Sequence, residues 1–197
     1  MDSKYRVERV LGAGGVGMVV RAVHIDLERR VAIKFMHARL ARDPEAVARF
    51  MREGRAAARL KSEHVCQVLN VERLPTGEPY LVMEYLQGSS LESALGDRGP
   101  LPLTDAMDYV LQACEAIAEA HAIGIVHRDL KPANLFLAKD RFGAPCVKVL
   151  DFGISKMRRP GASEASVTQT GAVLGSPMFM SPGQIRSARD VDARADV

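Results

Sequence analysis

The first part of the chain alternates short apolar runs with polar or glycine-rich breaks, and the later part carries longer stripes of helical period. Residues 5–11 and 18–25 predict two strands, the second built on Val19, Val20, Val23 and Ile25, because β-branched side chains favour extended backbone. Between them lies Gly12-Ala13-Gly14-Gly15-Val16-Gly17. A polar turn at 26–30 leads to a third strand, Val31-Ala32-Ile33-Lys34-Phe35-Met36. Asp43-Pro44-Glu45 has the form of a helix start, with Asp43 as cap and Pro44 in the first turn. Val47, Phe50, Met51, Gly54, Ala57 and Ala58 then fall on one helical face. Gly54 costs a helix up to about 1 kcal/mol relative to alanine, which predicts a mobile element. Two more strands, 66–71 and 79–84, flank the turn Pro75-Thr76-Gly77-Glu78.

At 83–90 apolar character gives way to polar and glycine residues, which divides the chain into an N-terminal lobe, 1–86, and a second lobe, 87–197. From Thr104, read as an N-cap, a stripe of Met107, Val110, Leu111, Cys114, Ile117, Ala118 and His121 predicts a long helix. Strands at 135–138 and 146–150 follow, the second ending in Asp151-Phe152-Gly153. A strand-rich first part and a more helical second part make an α+β architecture.

Composition narrows the function classes. The 197 residues fit one domain or two small lobes sharing a core. A content of 47% hydrophobic and 26% charged residues is ordinary for a soluble globular protein. The net charge of +3 is a mild basic bias without a dense Lys/Arg block, so no nucleic-acid partner is expected. Cys66, Cys114 and Cys146 lie far apart among apolar neighbours and read as small core residues in a reducing compartment. Neither a signal-peptide core nor a run of roughly 18 apolar residues occurs, so no membrane segment and a cytoplasmic location are expected.

The densest chemistry is His127-Arg128-Asp129-Leu130-Lys131-Pro132-Ala133-Asn134, a polar knot between apolar runs. Such a knot is expensive to hold unless it performs chemistry. The Gly12–Gly17 run alone is weak evidence, since glycines serve any tight turn. A strand after it argues against a dinucleotide fold, and no Gly-Lys-Ser/Thr marks a Walker loop. It therefore reads as a flap between two strands whose amides could lie over phosphates. Lys34 inside Val-Ala-Ile-Lys is either an edge-strand lysine reaching water or a phosphate-pairing lysine, for which Glu53 is the candidate partner. Glu53, amid Arg49, Arg52 and Arg55, is otherwise a surface ion-pair member of little worth.

The ordered set of glycine flap, Val-Ala-Ile-Lys34, Glu53, the knot and Asp151-Phe152-Gly153 resembles the signature of a eukaryotic-like, bacterial-type Ser/Thr protein kinase. The resemblance runs from about residue 5 to 197 and implies a two-lobed protein-kinase-like fold. A small antiparallel β-sheet lobe with one helix would sit beside a mainly helical, C-terminally incomplete large lobe. It implies ATP and Mg²⁺ (or Mn²⁺) as cofactors, and transfer of the γ-phosphoryl group to Ser/Thr hydroxyls of protein substrates, autophosphorylation included. By this resemblance Asp129 orients the substrate hydroxyl and accepts its proton, and Lys131 neutralises the moving phosphoryl group. Asn134 and Asp151 hold the metal, and Lys34, positioned by Glu53, grips the phosphates under a flap of Gly12, Gly14 and Gly17. Leu11, Val19, Ala32 and Phe136 would sandwich the adenine, Glu84 and Leu86 would bond its edge through backbone, and Met83 would border the rear. Arg128 would dock an activation segment phosphorylated at Thr168 and Thr170, and Ser176 would stand where threonine is usual.

The pattern departs from the family at Ser181-Pro182-Gly183, where a glutamate is usual. The chain stops at Asp196-Val197, with Asp196 matching the aspartate that supports the catalytic loop. An incomplete large lobe would expose apolar surface, implying a homodimer or another partner that covers it. The alternative to a kinase is an ATP-binding, pseudokinase-like regulatory module, weakly active or inactive; a third reading is a fragment that only pairs with another chain. A small-molecule kinase fits less well, because 175–182 resembles a polypeptide-docking segment.

Overall fold

The structure is a computed structural model that describes residues 4–14, 17–140, 142–152, 177–186 and 191–197. Five antiparallel strands form the first sheet: β1 (Tyr5–Ala13), β2 (Gly17–His24), β3 (Arg29–Met36), β4 (Val68–Arg73) and β5 (Pro79–Glu84), in the order β1-β2-β3-β5-β4. β3 is thus central, and Lys34 is paired on both sides, opposite Val19 of β2 and Leu81 of β5. That excludes the edge-strand reading; the side chain is only 5% exposed. One face of the sheet buries Tyr5, Val20, Ile33, Tyr80 and Val82. The other carries α1 (Pro44–Ala57), capped by Asp43, whose carboxylate accepts from Glu45 N at 3.0 Å.

Gly54 has a different meaning from the one its helix propensity suggests. A Cβ there would lie 2.4 Å from Leu81 Cδ2, so the glycine lets α1 settle onto β5. Close packing, rather than mobility, explains it.

The second sheet has three strands, β6 (Gly88–Ser90), β7 (Leu135–Lys139) and β8 (Pro145–Val149), in sequence order. β6 and the short helix α2 (Leu91–Arg98), capped by Ser90 through Ser93 N, were not expected from the periodicity. The long helix α3 (Leu103–Ala122) starts after Pro102, with Thr104 inside it rather than at its cap. Its core-facing residues are Ala113, Ala116, Ile117 and Ala120. Of the expected stripe Ile117 is buried, but its N-terminal part faces outward: Met107 is 58%, Val110 57% and Leu111 61% exposed, and Cys114 is exposed too. A helix apolar on two sides offers two stripes, and the expected one reaches the core only at Ile117.

Residues expected to begin the fourth strand join the sheets instead. Val65 bridges Val149 in parallel, Cys66 N donates to Val149 O at 3.0 Å, and Val149 N donates to His64 O at 2.8 Å. Below this junction Glu119 of α3 accepts from Lys61 N and Ser62 N, both at 2.8 Å. One apolar cluster, including Phe50, Leu60, Val65, Ala116, Val147 and Phe152, runs through both halves. No helix is long and apolar enough to cross a membrane among the described residues.

Candidate active site

The knot folds as an irregular loop between α3 and β7, ending in a 3-10 turn at Pro132–Asn134. His127 is fully buried. Its Nε2 lies 2.7 Å from Leu150 O, its Nδ1 accepts from Asp129 N at 3.3 Å, and its ring meets Phe152 edge-on with centroids 5.0 Å apart. A donor at Nε2 and an acceptor at Nδ1 define the neutral tautomer, and burial accordingly pushes the imidazole pKa down.

Arg128 has φ +67 and the neighbouring metal candidate Asp151 has φ +58, left-handed conformations that cost a non-glycine residue about 1–2 kcal/mol each. Such strain persists where surrounding bonds over-determine it. Asp196 supplies several of those bonds: Oδ1 accepts from Arg128 N at 2.6 Å, and Oδ2 accepts from His127 N at 2.7 Å and lies 2.9 Å from His121 Nε2. Gln184 Nε2 donates to Arg128 O at 2.6 Å.

Asp129 is thereby presented with one oxygen engaged. Its Oδ2 lies 3.1 Å from Lys131 Nζ and accepts from Asn134 Nδ2 at 3.0 Å, while the same amide donates to Asp129 O at 2.7 Å. Oδ1 accepts no hydrogen bond among the described residues. Asn134 spends its N–H groups on Asp129, which turns its Oδ1 into the free end. Together with the Asp151 carboxylate it offers two hard oxygen donors, the kind of set that suits Mg²⁺ or Mn²⁺. Burial raises the Asp151 pKa, but the Lys34 ammonium more than offsets this and holds the carboxyl below its ordinary value.

Lys34 pairs with Asp151 at 2.6 Å. The expected Lys34–Glu53 pair is not the one formed. Glu53 Oε2 is buried with no hydrogen-bond partner among the described residues, and burial raises the Glu53 pKa to about 7 despite the opposing fields of Arg49, Arg52, Arg128 and Lys34. Glu53 is therefore neither an exposed ion-pair member nor a satisfied partner. The ammonium pairs with the carboxylate that follows β8, and the one on α1 is left without it.

Of the residues expected to contact a nucleotide, three meet at one cavity. Val19, Met83 and Asp151, with Ala57, Cys66, Val68, Leu150 and Phe152, line a cavity of about 100 Å³. Ala32 is buried opposite Met83 across β3 and β5, Leu11 is 40% exposed on β1, and Phe136 is half-buried on β7. Glu84 N is already used, donating to Gln67 O at 3.0 Å. The Glu84 side chain ties the strand end to the second sheet, its Oε1 accepting from Lys148 Nζ at 3.0 Å and from Gln67 N at 2.9 Å. Leu86 is half-buried just beyond it. In the flap, a Cβ at Gly17 would lie 1.8 Å from Phe35 O, whereas Gly12 and Gly14 have open space around them. Gly17 thus serves strand packing, and Gly12 and Gly14 are the pair that leave room for a ligand. His37 Nε2, 2.8 Å from Gly14 O, latches the flap to the end of β3.

Sequence reasoning missed His37, Lys148 and Gln184. Of these only Gln184 had a local signal, since Ser181-Pro182-Gly183-Gln184 has the Ser-x-x-Gln form of a capping box. Arg128 is exposed and makes no ion pair among the described residues; Thr168, Thr170, Ser176, Gly153, Gly15 and Val16 lie outside them. Burial raises the thiol pKa of both Cys66 and Cys146, which makes them inert, while Cys114 lies exposed on α3.

A strand-rich lobe with a glycine flap and buried lysine, joined to a lobe carrying an aspartate-centred loop and a metal-competent carboxylate, defines a two-lobed protein-kinase fold. The protein kinase domain family profile matches residues 5–197, and the chain belongs to that family. It is 42% identical over 195 residues to serine/threonine-protein kinase Pkn1 of Myxococcus xanthus, a match covering 98% of this chain and 27% of Pkn1. With serine/threonine-protein kinase PknB of Mycobacterium leprae it shares 40% identity over 200 residues, covering 100% of this chain and 31% of PknB. The chain therefore spans less than a third of the length of these two relatives. Among solved structures, the PknI kinase domain of Mycobacterium tuberculosis superposes with a TM-score of 0.74 at 30% identity, covering 98% of this chain and 69% of that one.

Proposed function

We propose that the chain is the catalytic portion of an ATP-dependent Ser/Thr protein kinase that transfers the γ-phosphoryl group to protein hydroxyls, its own included. The observation that carries this reading is the Asp129 carboxylate, held through Oδ2 by Lys131 and Asn134 with Oδ1 left to accept a hydroxyl proton. Protein kinases work chiefly by positioning and charge neutralisation, so each residue acts through place and charge. Lys131 sits where it balances negative charge developing beside Asp129. Asn134 Oδ1 and the Asp151 carboxylate would hold a divalent cation, which when bound neutralises phosphate charge. Lys34 leaves Asp151 for the phosphates, and Glu53 is the carboxylate on α1 placed to hold it there. Gly12 and Gly14 present backbone to the phosphates, Ala32, Val19, Leu11 and Phe136 enclose the base, and Met83 closes the rear. On this reading Arg128 awaits an anion, with Thr168 and Thr170 as its sources, and the lobes divide at 86/87. ATP use fits a cytoplasmic location, and the outward face of α3 fits a covering partner or second copy.

A second reading, an ATP-binding regulatory module, draws on one observation, the Lys34–Asp151 pair that leaves Glu53 Oε2 without a hydrogen bond among the described residues. Labelled ATP with Mg²⁺ and a generic basic protein substrate, run beside Asp129→Asn and Lys34→Met, separates the two. The kinase reading expects transfer by the unaltered chain and a loss of about 10²–10⁴-fold in Asp129→Asn. Transfer undiminished in Asp129→Asn would end it. No transfer, but a raised Tm with ATP, supports the module.

A further inference from the structure

Among the described residues the structure shows what holds the segment Ser181–Arg186. α4 (Pro182–Arg186) is a single short turn of helix. Gln184 Oε1 accepts from Ser181 N at 3.0 Å, and Ser181 Oγ accepts from Gln184 N at 3.4 Å, the reciprocal pair of a capping box. The amide's other end leaves the helix altogether. Nε2 donates to Arg128 O at 2.6 Å, across 56 positions of sequence, and Gln184 is only 8% exposed. Gly183 contributes no contact that could replace this, since a Cβ there would meet nothing closer than Ser181 Oγ at 3.9 Å.

Arg128 is the left-handed residue immediately before Asp129, and its two peptide groups are held from two directions. Asp196 takes the N–H and Gln184 takes the C=O. Because the carbonyl of Arg128 belongs to the same peptide plane as the N–H of Asp129, a bond to it sets the direction from which Asp129 leaves the backbone. We infer that Gln184 is a positioning residue: its side-chain amide couples the 181–186 segment to the backbone of the catalytic loop and so aims Asp129. The inference rests on the kinase reading for its consequence, and on geometry alone for the coupling.

Two variants separate the two ends of the amide. Gln184→Glu keeps an oxygen for Ser181 N and replaces the donor to Arg128 with an acceptor. Gln184→Met removes both ends at similar size. Amide hydrogen exchange on the full chain at neutral pH, with peptides resolving 126–131 and 181–186, reads the coupling without any activity. In Gln184→Glu the catalytic-loop amides are expected to exchange about tenfold faster while 181–186 keeps its protection; Gln184→Met loosens both. Exchange across 126–131 equal to that of the unaltered chain in Gln184→Glu overturns the inference. Steady-state kinetics run in parallel should show kcat lowered about tenfold with the KM for ATP within about twofold, the split expected when only the hydroxyl-activating side is disturbed. An unaltered chain that transfers no phosphate would sink the kinase reading, and the exchange result would still decide Gln184.

Discussion

The loop around Asp129 and the ion-pairing centre around Lys34 differ in how completely their polar groups are satisfied. In the loop, His127, Arg128, Asp129 and Asn134 each give a backbone or side-chain group to a defined partner, and Asp196 binds three donors from two elements. Around Lys34, the ammonium pairs with Asp151 and leaves Glu53 Oε2 buried and, among the described residues, unpartnered. A satisfied buried network is stiff, whereas an unsatisfied group stores free energy that a rearrangement can release. The protein thus holds the loop around Asp129 fixed and leaves the centre around Lys34 movable.

The largest test of that contrast is Asp196→Asn. An amide keeps one acceptor and turns a donor toward groups that are themselves donors, inside a site where the Asp196 side chain is fully buried. Breaking a buried charged network in this way costs about 3–5 kcal/mol, a large part of a typical domain's stability. Chemical denaturation should show a midpoint far below that of the unaltered chain, or no cooperative transition. An unchanged midpoint would mean that the loop is stiff for some other reason.

Gly54→Ala probes the movable side. The added methyl would start 2.4 Å from Leu81 Cδ2, so either Leu81 changes rotamer or α1 shifts away from β5. Overpacking of this kind costs about 1–3 kcal/mol, against at most about 1 kcal/mol regained in helix propensity. A net loss is expected in thermal unfolding, with Asp129-dependent chemistry affected less than the KM for ATP. A net gain in Tm would restore the view of Gly54 as a mere weakness in the helix.

What could be read from sequence follows from where chemistry restricts residue choice. Asp129, Lys131, Asn134, Lys34 and Asp151 stood out because few residue types can orient a hydroxyl, neutralise phosphate or hold a hard cation. The partner of Lys34 was not legible, since it depends on where α1 places Glu53 to within an ångström or two. Gly17 looked like part of a phosphate flap and is needed for strand packing against Phe35, a distinction that requires the β2–β3 register. In α3 the period was legible and the face only at Ile117, because Ala113, Ala116 and Ala120 pack by being small, and bulk is a poor guide to a close helix contact. Gln184 announced its capping box locally, while its bond to Arg128 joins residues 56 positions apart in sequence.

The smallest expected effect bears most directly on why the Lys34 centre is movable. Glu53 has its pKa raised to about 7 from an ordinary 4.5, burial being the main cause. Between those values the folded chain holds a proton that the unfolded chain has released, so this group's contribution to stability is greatest at low pH and is lost as the pH rises through about 7. Glu53→Gln keeps the shape and removes the titration. It should raise Tm by about 2–4 °C at pH 8 and by little at pH 5. His127 slopes the other way, because burial lowers its pKa and protonation below about pH 6.5 favours the unfolded chain. That slope is common to both proteins and cancels when they are compared at one pH. The same variant cannot carry the charge that would draw Lys34 from Asp151, so its gain in stability should come with a raised KM for ATP. A Tm gain that is equal at pH 5 and pH 8 would show that Glu53 carries no titration penalty, and the contrast between a fixed loop and a movable lysine would then have to rest on α1 packing alone.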